Sequence, residues 1–244
     1  MFGSPHRHFR TTDSTNERAK ELAQAGAPGG LVITADEQTA GRGRRGNAWF
    51  APPGACLLCS ALLRPFEAET APLLPLAVPL AVCEAAESVA PVRCQVKWPN
   101  DVWIDERKVA GILVEARPDE GWAVIGVGLN VAIPEEEFPP ELRETATSLL
   151  PTEAEGGIPP GGAPGVRRAL RALNESLAGW VEADEDRVLS AYRPRDALSG
   201  REISWQGGSG VAQEVDGRGH LVVERTDGER IALGAGAVHL AITG

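Results

Sequence analysis

Gly41-Arg-Gly-Arg-Arg-Gly46 satisfies the formal pattern G-x-G-x-x-G, and the fold turns on how that stretch is read. A dinucleotide-binding fold needs such a turn to open a helix at once. Here Asn47-Ala-Trp-Phe50 and then Pro52-Pro-Gly54 follow, a poor helix start, and arginine fills the variable positions. The stretch reads better as an anion-binding loop. Glycines let backbone approach a ligand closely, and Arg42, Arg44 and Arg45 offer forked donors suited to phosphate or carboxylate. A solvated basic loop is the alternative that charge patterning leaves open. Trp49 and Phe50 weigh toward a site, because an aromatic face can cover an adenine ring.

On the amino-terminal side, Leu31 to Ala35 reads as a short strand. Ser14 to Gly26 reads as a helix, with Ser14 and Glu17 in capping-box spacing and Gly26 as its stop. On the other side, Ala55 to Leu63 reads as a strand and Pro75 to Val89 as a helix with its prolines near the first turn. Gln95 to Glu115 reads as two or three strands turning near Asp105-Glu106, and Trp122 to Val131 as another. After Pro134 the chain is acidic, then rich in Pro and Gly over residues 156–165. Val166, Leu170, Leu173, Leu177 and Val181 then line one helical face, in a helical region that ends at Tyr192-Arg-Pro194. From Leu198 onward, short β-type runs separated by Gly and Asp-Gly turns predict a small barrel of about five strands. These runs are Glu202 to Trp205, Gly210 to Val215, His220 to Arg225, Arg230 to Leu233 and Val238 to Ile242. The expected class is α+β, with residues 1–197 as one domain and 198–244 as a second.

Two further segments carry unusual chemistry. In Lys97-Trp-Pro-Asn-Asp101 a lysine at a strand end can project into a cleft as a point charge; a surface lysine beside a structural tryptophan is the plain alternative. In Gly126-Val-Gly-Leu-Asn-Val131 the small residues suggest close backbone approach. Asn130 carries the donor and acceptor needed to read an adenine edge, or to cap a turn. Cys56-Leu-Leu-Cys59 lacks the second half of a zinc site and reads as buried thiols. The four His, at 6, 8, 220 and 239, mark no catalytic triad, and no P-loop spacing is present.

Composition limits the function. With 24 Lys+Arg against 34 Asp+Glu, the net charge of −10 excludes a whole-molecule electrostatic grip on DNA. The longest uncharged apolar stretch, Thr70 to Cys83, holds three prolines and falls short of the roughly 20 residues a membrane helix needs. The polar first ten residues do not resemble a signal peptide, so a cytoplasmic protein with reduced cysteines is expected.

In order, Asp13-Ser-Thr-Asn16, Glu37 to Gly46 with Trp49, Lys97-Trp-Pro-Asn-Asp101, Lys108-Val-Ala-Gly-Ile-Leu-Val-Glu115 and Gly126 to Val131 resemble the biotin–protein ligases. The resemblance covers about residues 10 to 150. It implies a class II aminoacyl-tRNA synthetase-like catalytic domain followed by a small SH3-like β-barrel. It also implies ATP-dependent formation of biotinyl-5′-AMP and transfer of biotin to a lysine of a biotin carboxyl carrier protein or domain. Carried over motif by motif, Ser14, Thr15, Asn16, Gln38, Arg42, Gly43, Arg44, Lys97 and Gly111 are the expected biotin-binding residues. Arg42, Arg44, Trp49, Lys97 and Asn130 are the expected ATP- and adenylate-binding residues, and Lys97 and Arg44 the expected catalytic pair. Mg²⁺ is expected with ATP, its protein ligands not identifiable from spacing. The first motif begins at Asp13, so a repressor role, which would need an amino-terminal DNA-binding domain, is not expected. No membrane partner is expected, and a homodimer is left open. A lipoate–protein ligase and a non-enzymatic biotin-binding module are the rival readings.

Overall fold

The computed structural model describes residues 1–67, 72–150, 158, 162–234 and 238–240. Seven strands form one mixed sheet. They are β1 (His6–Thr12), β2 (Val32–Gln38), β3 (Cys56–Leu63), β4 (Gln95–Lys97), β5 (Asp101–Ile104), β6 (Arg107–Arg117) and β7 (Trp122–Asn130). Their order is β1-β2-β3-β7-β6-β5-β4; β1 and β2 are parallel, and the other neighbours antiparallel. β3 is a continuous apolar run because both of its faces are covered. On one face, the side of β3 that carries Leu57, Cys59 and Ala61 meets α3 (Pro164–Trp180), and α2 (Leu74–Val89) packs beside α3 against β4, β5 and β6. On the other face, Leu62 joins Ala19 and Ala23 of α1 (Thr15–Gln24).

The expected elements are present, with instructive differences. α1 ends as its glycine predicts. Gly26 has φ +84°, and the amides of Gly26 and Ala27 donate to the carbonyls of Ala23 and Leu22 at 3.0 and 2.9 Å. Its amino end departs from the capping box, because the Ser14 side chain makes no capping hydrogen bond. Pro79 lies inside α2 rather than at its start, in a fully apolar setting. Asp105 and Glu106 both take positive φ, 48° and 63°, the geometry of a two-residue hairpin turn between β5 and β6. The helical region expected up to Tyr192 is broken into α3 and α4 (Glu185–Tyr192). Asp184 caps the second piece by accepting from the Arg187 amide at 2.9 Å. β1 was not anticipated: its pattern is mostly exposed and polar, so the periodicity that marks a half-buried strand is missing.

A second, five-stranded antiparallel sheet occupies the carboxyl-terminal region. It comprises β8 (Glu202–Trp205), β9 (Gly208–Val215), β10 (Leu221–Glu224), β11 (Arg230–Leu233) and β12 (Val238–Leu240), in the order β11-β10-β9-β8-β12. It is tied to the first sheet at β4: the Ala197 amide donates to the Val96 carbonyl at 2.9 Å, and Trp98 Nε1 donates to the Gly219 carbonyl at 2.9 Å. Half of the Pro/Gly-rich stretch 156–165, and residues 241–242 of the last expected strand, lie outside the described residues. No helix among the described residues is long and apolar enough to cross a membrane.

Candidate active site

The start of α1, the end of β2 and the loop after it, the end of β4 and the middle of β3, β6 and β7 converge on one cavity of about 200 Å³. Ser14, Thr15, Asn16, Gln38, Arg42, Gly43, Arg44, Trp49, Lys97 and Gly111 all line it. Asn130 does not. It is buried at the end of β7, where its amide donates to the Thr147 carbonyl at 2.9 Å and its oxygen faces Cys56 Sγ at 3.9 Å.

The polar floor is closely wired. The Thr15 amide and hydroxyl both donate to Gln38 Oε1, at 2.7 and 3.0 Å. Asn16 Nδ2 donates to Glu115 Oε2 at 2.8 Å, and the Ser60 hydroxyl lies 2.6 Å from Asn16 Oδ1 and 2.8 Å from Thr15 Oγ1. Burial pushes the Glu115 carboxyl up, but Lys20 and Asn16 donate to it and hold it below its ordinary value, so it remains an anion. These bonds fix the rotamers of small polar groups that would otherwise wander, which is how a site for a neutral polar head is pre-organised.

The two glycines of the Gly126-Val-Gly128 run admit neighbouring side chains. A Cβ on Gly126 would overlap Asn16, and one on Gly128 would meet Trp49 at 2.5 Å; on Gly111 it would meet Trp49 at 2.9 Å. Trp49 thus lies flat on the backbone of β6 and β7. Its Nε1 is buried without a hydrogen-bond partner among the described residues.

The cations gather on the other wall. Lys97 Nζ lies 5.3 Å from the centre of the Trp103 ring. Burial pushes its pKa down, the like charge of Lys108 adds to that, and Asp101 partly opposes it. Lys108 Nζ pairs with Asp101 at 2.7 Å and sits 5.5 Å from the Trp49 ring. Arg44 Nη1 donates to Asn100 Oδ1 at 3.0 Å, and Arg42 forms a close ion pair with Glu17. Two arginines of the loop therefore rest on protein partners.

Ser60, Asn100, Asp101 and Lys108 belong to this constellation but were not singled out from the sequence. The register gives the signal for Ser60: it stands directly opposite Gly126, whose missing side chain leaves room for Asn16. Lys108 reaches Asp101 because the β5–β6 register shifts between Val102 and Trp103, an irregularity no spacing shows. The four cysteines are buried and unpaired, as expected, and burial holds the Cys59 thiol up at about 12.

The model of the biotin/lipoate A/B protein ligase family matches residues 8–131. The biotin--[acetyl-CoA-carboxylase] ligase of Mycobacterium tuberculosis is 35% identical over 242 residues, spanning 94% of this chain and 86% of that protein. The bifunctional ligase/repressor BirA of Bacillus spizizenii is 39% identical over 146 residues, or 58% of this chain; the chain spans 45% of that relative's length. Among solved structures, the biotin protein ligase of Aquifex aeolicus in complex with biotin and ATP is similar with a TM-score of 0.78 at 29% identity, covering 97% of this chain and 99% of that one. The likeness extends over both sheets and nearly the whole length, and the chain belongs to the biotin/lipoate A/B protein ligase family.

Proposed function

We propose that this protein activates biotin with ATP to biotinyl-5′-AMP and transfers the biotin to a lysine of a biotin carboxyl carrier protein. The observation that carries the reading is the pairing, within one small cavity, of a pre-wired neutral polar floor with a cationic wall. Simple binding of a neutral head needs only the first of these. The names of the Mycobacterium relative and of the Aquifex complex with biotin and ATP support the same choice.

In this reading Ser14, Thr15, Asn16 and Gln38 receive the ureido head, and Gly111 lets Trp49 lie close on β6 beside the ring and tail. Lys97 stands between the biotin carboxylate and the α-phosphate, with Arg42, Gly43 and Arg44 folding over both. A carboxylate oxygen attacks the α-phosphorus, and the bond to the bridging oxygen of the β-phosphate breaks. Two anions must meet for this, so cations that stabilise charge as it develops lower the barrier. The lysine amine of the carrier then attacks the mixed anhydride and AMP leaves; excluding water protects the anhydride meanwhile. Trp49 covers the nucleotide. Asn130, buried with its amide on the Thr147 carbonyl, would meet adenine only on giving up that bond.

Asp101 is the one carboxylate lining the cavity and is paired with Lys108, and no group of three candidate metal ligands exists among the described residues. The residues therefore offer no resident Mg²⁺ cage. Mg²⁺ fits as the companion of ATP, held by phosphate oxygens and water. We further assign residues 1–197 to the catalytic domain and 198–244 to the appended β-domain. A net charge of −10 argues against a repressor role, and the polar first ten residues favour a cytoplasmic ligase.

The test is to incubate the protein with ATP, a carrier domain and either biotin or lipoate, and to weigh the carrier. Biotin on a single lysine, with release of AMP and diphosphate, is expected. Lipoate attached in preference, or biotin bound without any adenylate, would overturn the reading.

A further inference from the structure

A second cavity, about 430 Å³, opens where the β9–β10 turn meets the first sheet. It shares Arg44, Trp98, Pro99 and Asn100 with the first cavity, so the two are halves of one cleft. Its walls are largely apolar, and its only ionisable lining residues among those described are Arg44, Arg218 and His220. No carboxylate among the described residues lines it.

The turn that presents Arg218 and His220 is held from two sides. Asp216 Oδ1 accepts from the amides of Arg218 and His220, each at 2.9 Å, and its other oxygen lies 3.4 Å from His220 Nδ1. The Asp216 carboxylate is thus turned into its own turn, and the Glu185 carboxylate lies against Gly217 without lining the cavity. Between the two basic residues, Gly219 takes φ +75° and its carbonyl accepts from Trp98 Nε1. A Cβ on Gly219 would meet the Pro72 carbonyl at 2.7 Å, so the turn sits tight against the segment that leads into α2. The Arg218 guanidinium has no ion-pair or hydrogen-bond partner among the described residues, although it lines the cavity. A rigid turn holding a guanidinium beside an imidazole, in an apolar recess that no carboxylate among the described residues lines, suits an anion bearing several oxygens.

Resting on the ligase reading above, we propose that Arg218 and His220 bind the β- and γ-phosphates of ATP and hold the diphosphate as it leaves. The displacement at the α-phosphorus needs the leaving group opposite the attacking carboxylate. The pair of electrons of the broken Pα–O bond departs on the bridging oxygen, and the added charge collects on the diphosphate. Biotin occupies the polar floor of the first cavity, and the second lies beyond Arg44 and Asn100. A carrier lysine, itself cationic, would meet three basic groups there.

The experiment uses the full chain with Arg218→Gln, His220→Gln and Arg218→Lys. Four quantities are measured: the KM for ATP in adenylate formation, the half-saturating diphosphate when isolated biotinyl-AMP is driven back to ATP, the Kd for biotin, and transfer from isolated biotinyl-AMP to the carrier. The ATP arm reads the phosphates as part of the nucleotide, and the diphosphate arm reads them as the free product. Arg218→Gln should raise the ATP and diphosphate values about tenfold each, with Arg218→Lys recovering most of the loss. His220→Gln should shift both in the same direction by less. Biotin affinity and transfer should stay within about twofold of wild type, which also shows that the variants are folded. Unchanged diphosphate dependence in Arg218→Gln sinks this inference alone. So does a loss confined to transfer, which would make the cleft a carrier-docking surface. A wild type that forms no adenylate sinks the ligase reading and this inference together.

Discussion

Asn16 Oδ1 occupies the space above Gly126 in which any other residue would place its Cβ, and Ser60, opposite Gly126 in the register, meets the same oxygen at 2.6 Å. A helix start and a central strand thereby share one polar contact at the floor of the cleft. The glycine is needed for approach rather than for backbone conformation, since its φ is not positive.

Gly126→Ala should displace Asn16 and break its alignment with Glu115 and Ser60. Overpacking of this kind costs about 1–3 kcal/mol of stability, and the Kd for biotin should rise about tenfold or more. Calorimetric titration with biotin checks it. An unchanged Kd would remove Asn16 from the biotin floor.

Lys97→Ala should slow adenylate formation by about 10²–10³-fold while leaving biotin affinity nearly intact, because the charge it stabilises appears in the transition state. The pH dependence follows from its surroundings. Burial and Lys108 hold its pKa below that of an ordinary lysine, so the active ammonium is lost on the alkaline side earlier than for a free lysine. Removing the like charge with Lys108→Met should raise the Lys97 pKa and move the alkaline limb of single-turnover adenylation to higher pH. A limb that moves down, or an Lys97→Ala rate within threefold of wild type, contradicts the assignment.

Arg44→Gly should loosen the loop at its Asn100 anchor as well as weaken the hold on phosphate. Adenylate would then escape before transfer and acylate lysines at random. Incubating the variant with biotin, ATP and an unrelated lysine-rich protein, and counting biotins on the bystander, reads this directly. A bystander as clean as with wild type, despite adenylate formation, would mean that the loop binds ATP without sealing the site.

Asp13 precedes the biotin floor. Its carboxyl is held down at about 2, chiefly because Arg18 donates to it, and also because the Ser14 amide does so at 2.6 Å. The folded state therefore releases the proton more readily than the unfolded chain. The stabilisation is complete above the ordinary value of 3.8 and is lost as pH falls through about 2. With 43% of the side chain exposed, solvent screens the pair and the effect is modest. Asp13→Asn should lower Tm slightly at neutral pH, and the gap to wild type should close between pH 4 and pH 2 in a pH series of melts. A gap that persists to the lowest pH would mean that hydrogen bonding, not charge, carries the role.

Periodicity and local chemistry in the sequence determined most elements and the order of the motifs. β3 is a continuous apolar run, the Asp105-Glu106 turn is a hairpin, Gly26 stops α1, and the carboxyl-terminal strands follow their glycine turns. The glycine-arginine loop could be denied to a dinucleotide fold from its flanks alone. Each of these depends on residues within a few positions of one another, which is why one sequence suffices to read them. What depends on distant residues was decided by the tertiary structure. Ser14 gives up its capping role and faces the cavity, since the sheet brings ligand space to that end of α1. Asn130 spends its amide on Thr147 because the chain after β7 folds back over it. Lys108 reaches Asp101 only through a register shift, and Arg218 enters the cleft only because Trp98 anchors a turn 121 residues away. Such contacts join groups far apart in the chain through strand pairing and packing, and neither leaves a periodic mark on the sequence.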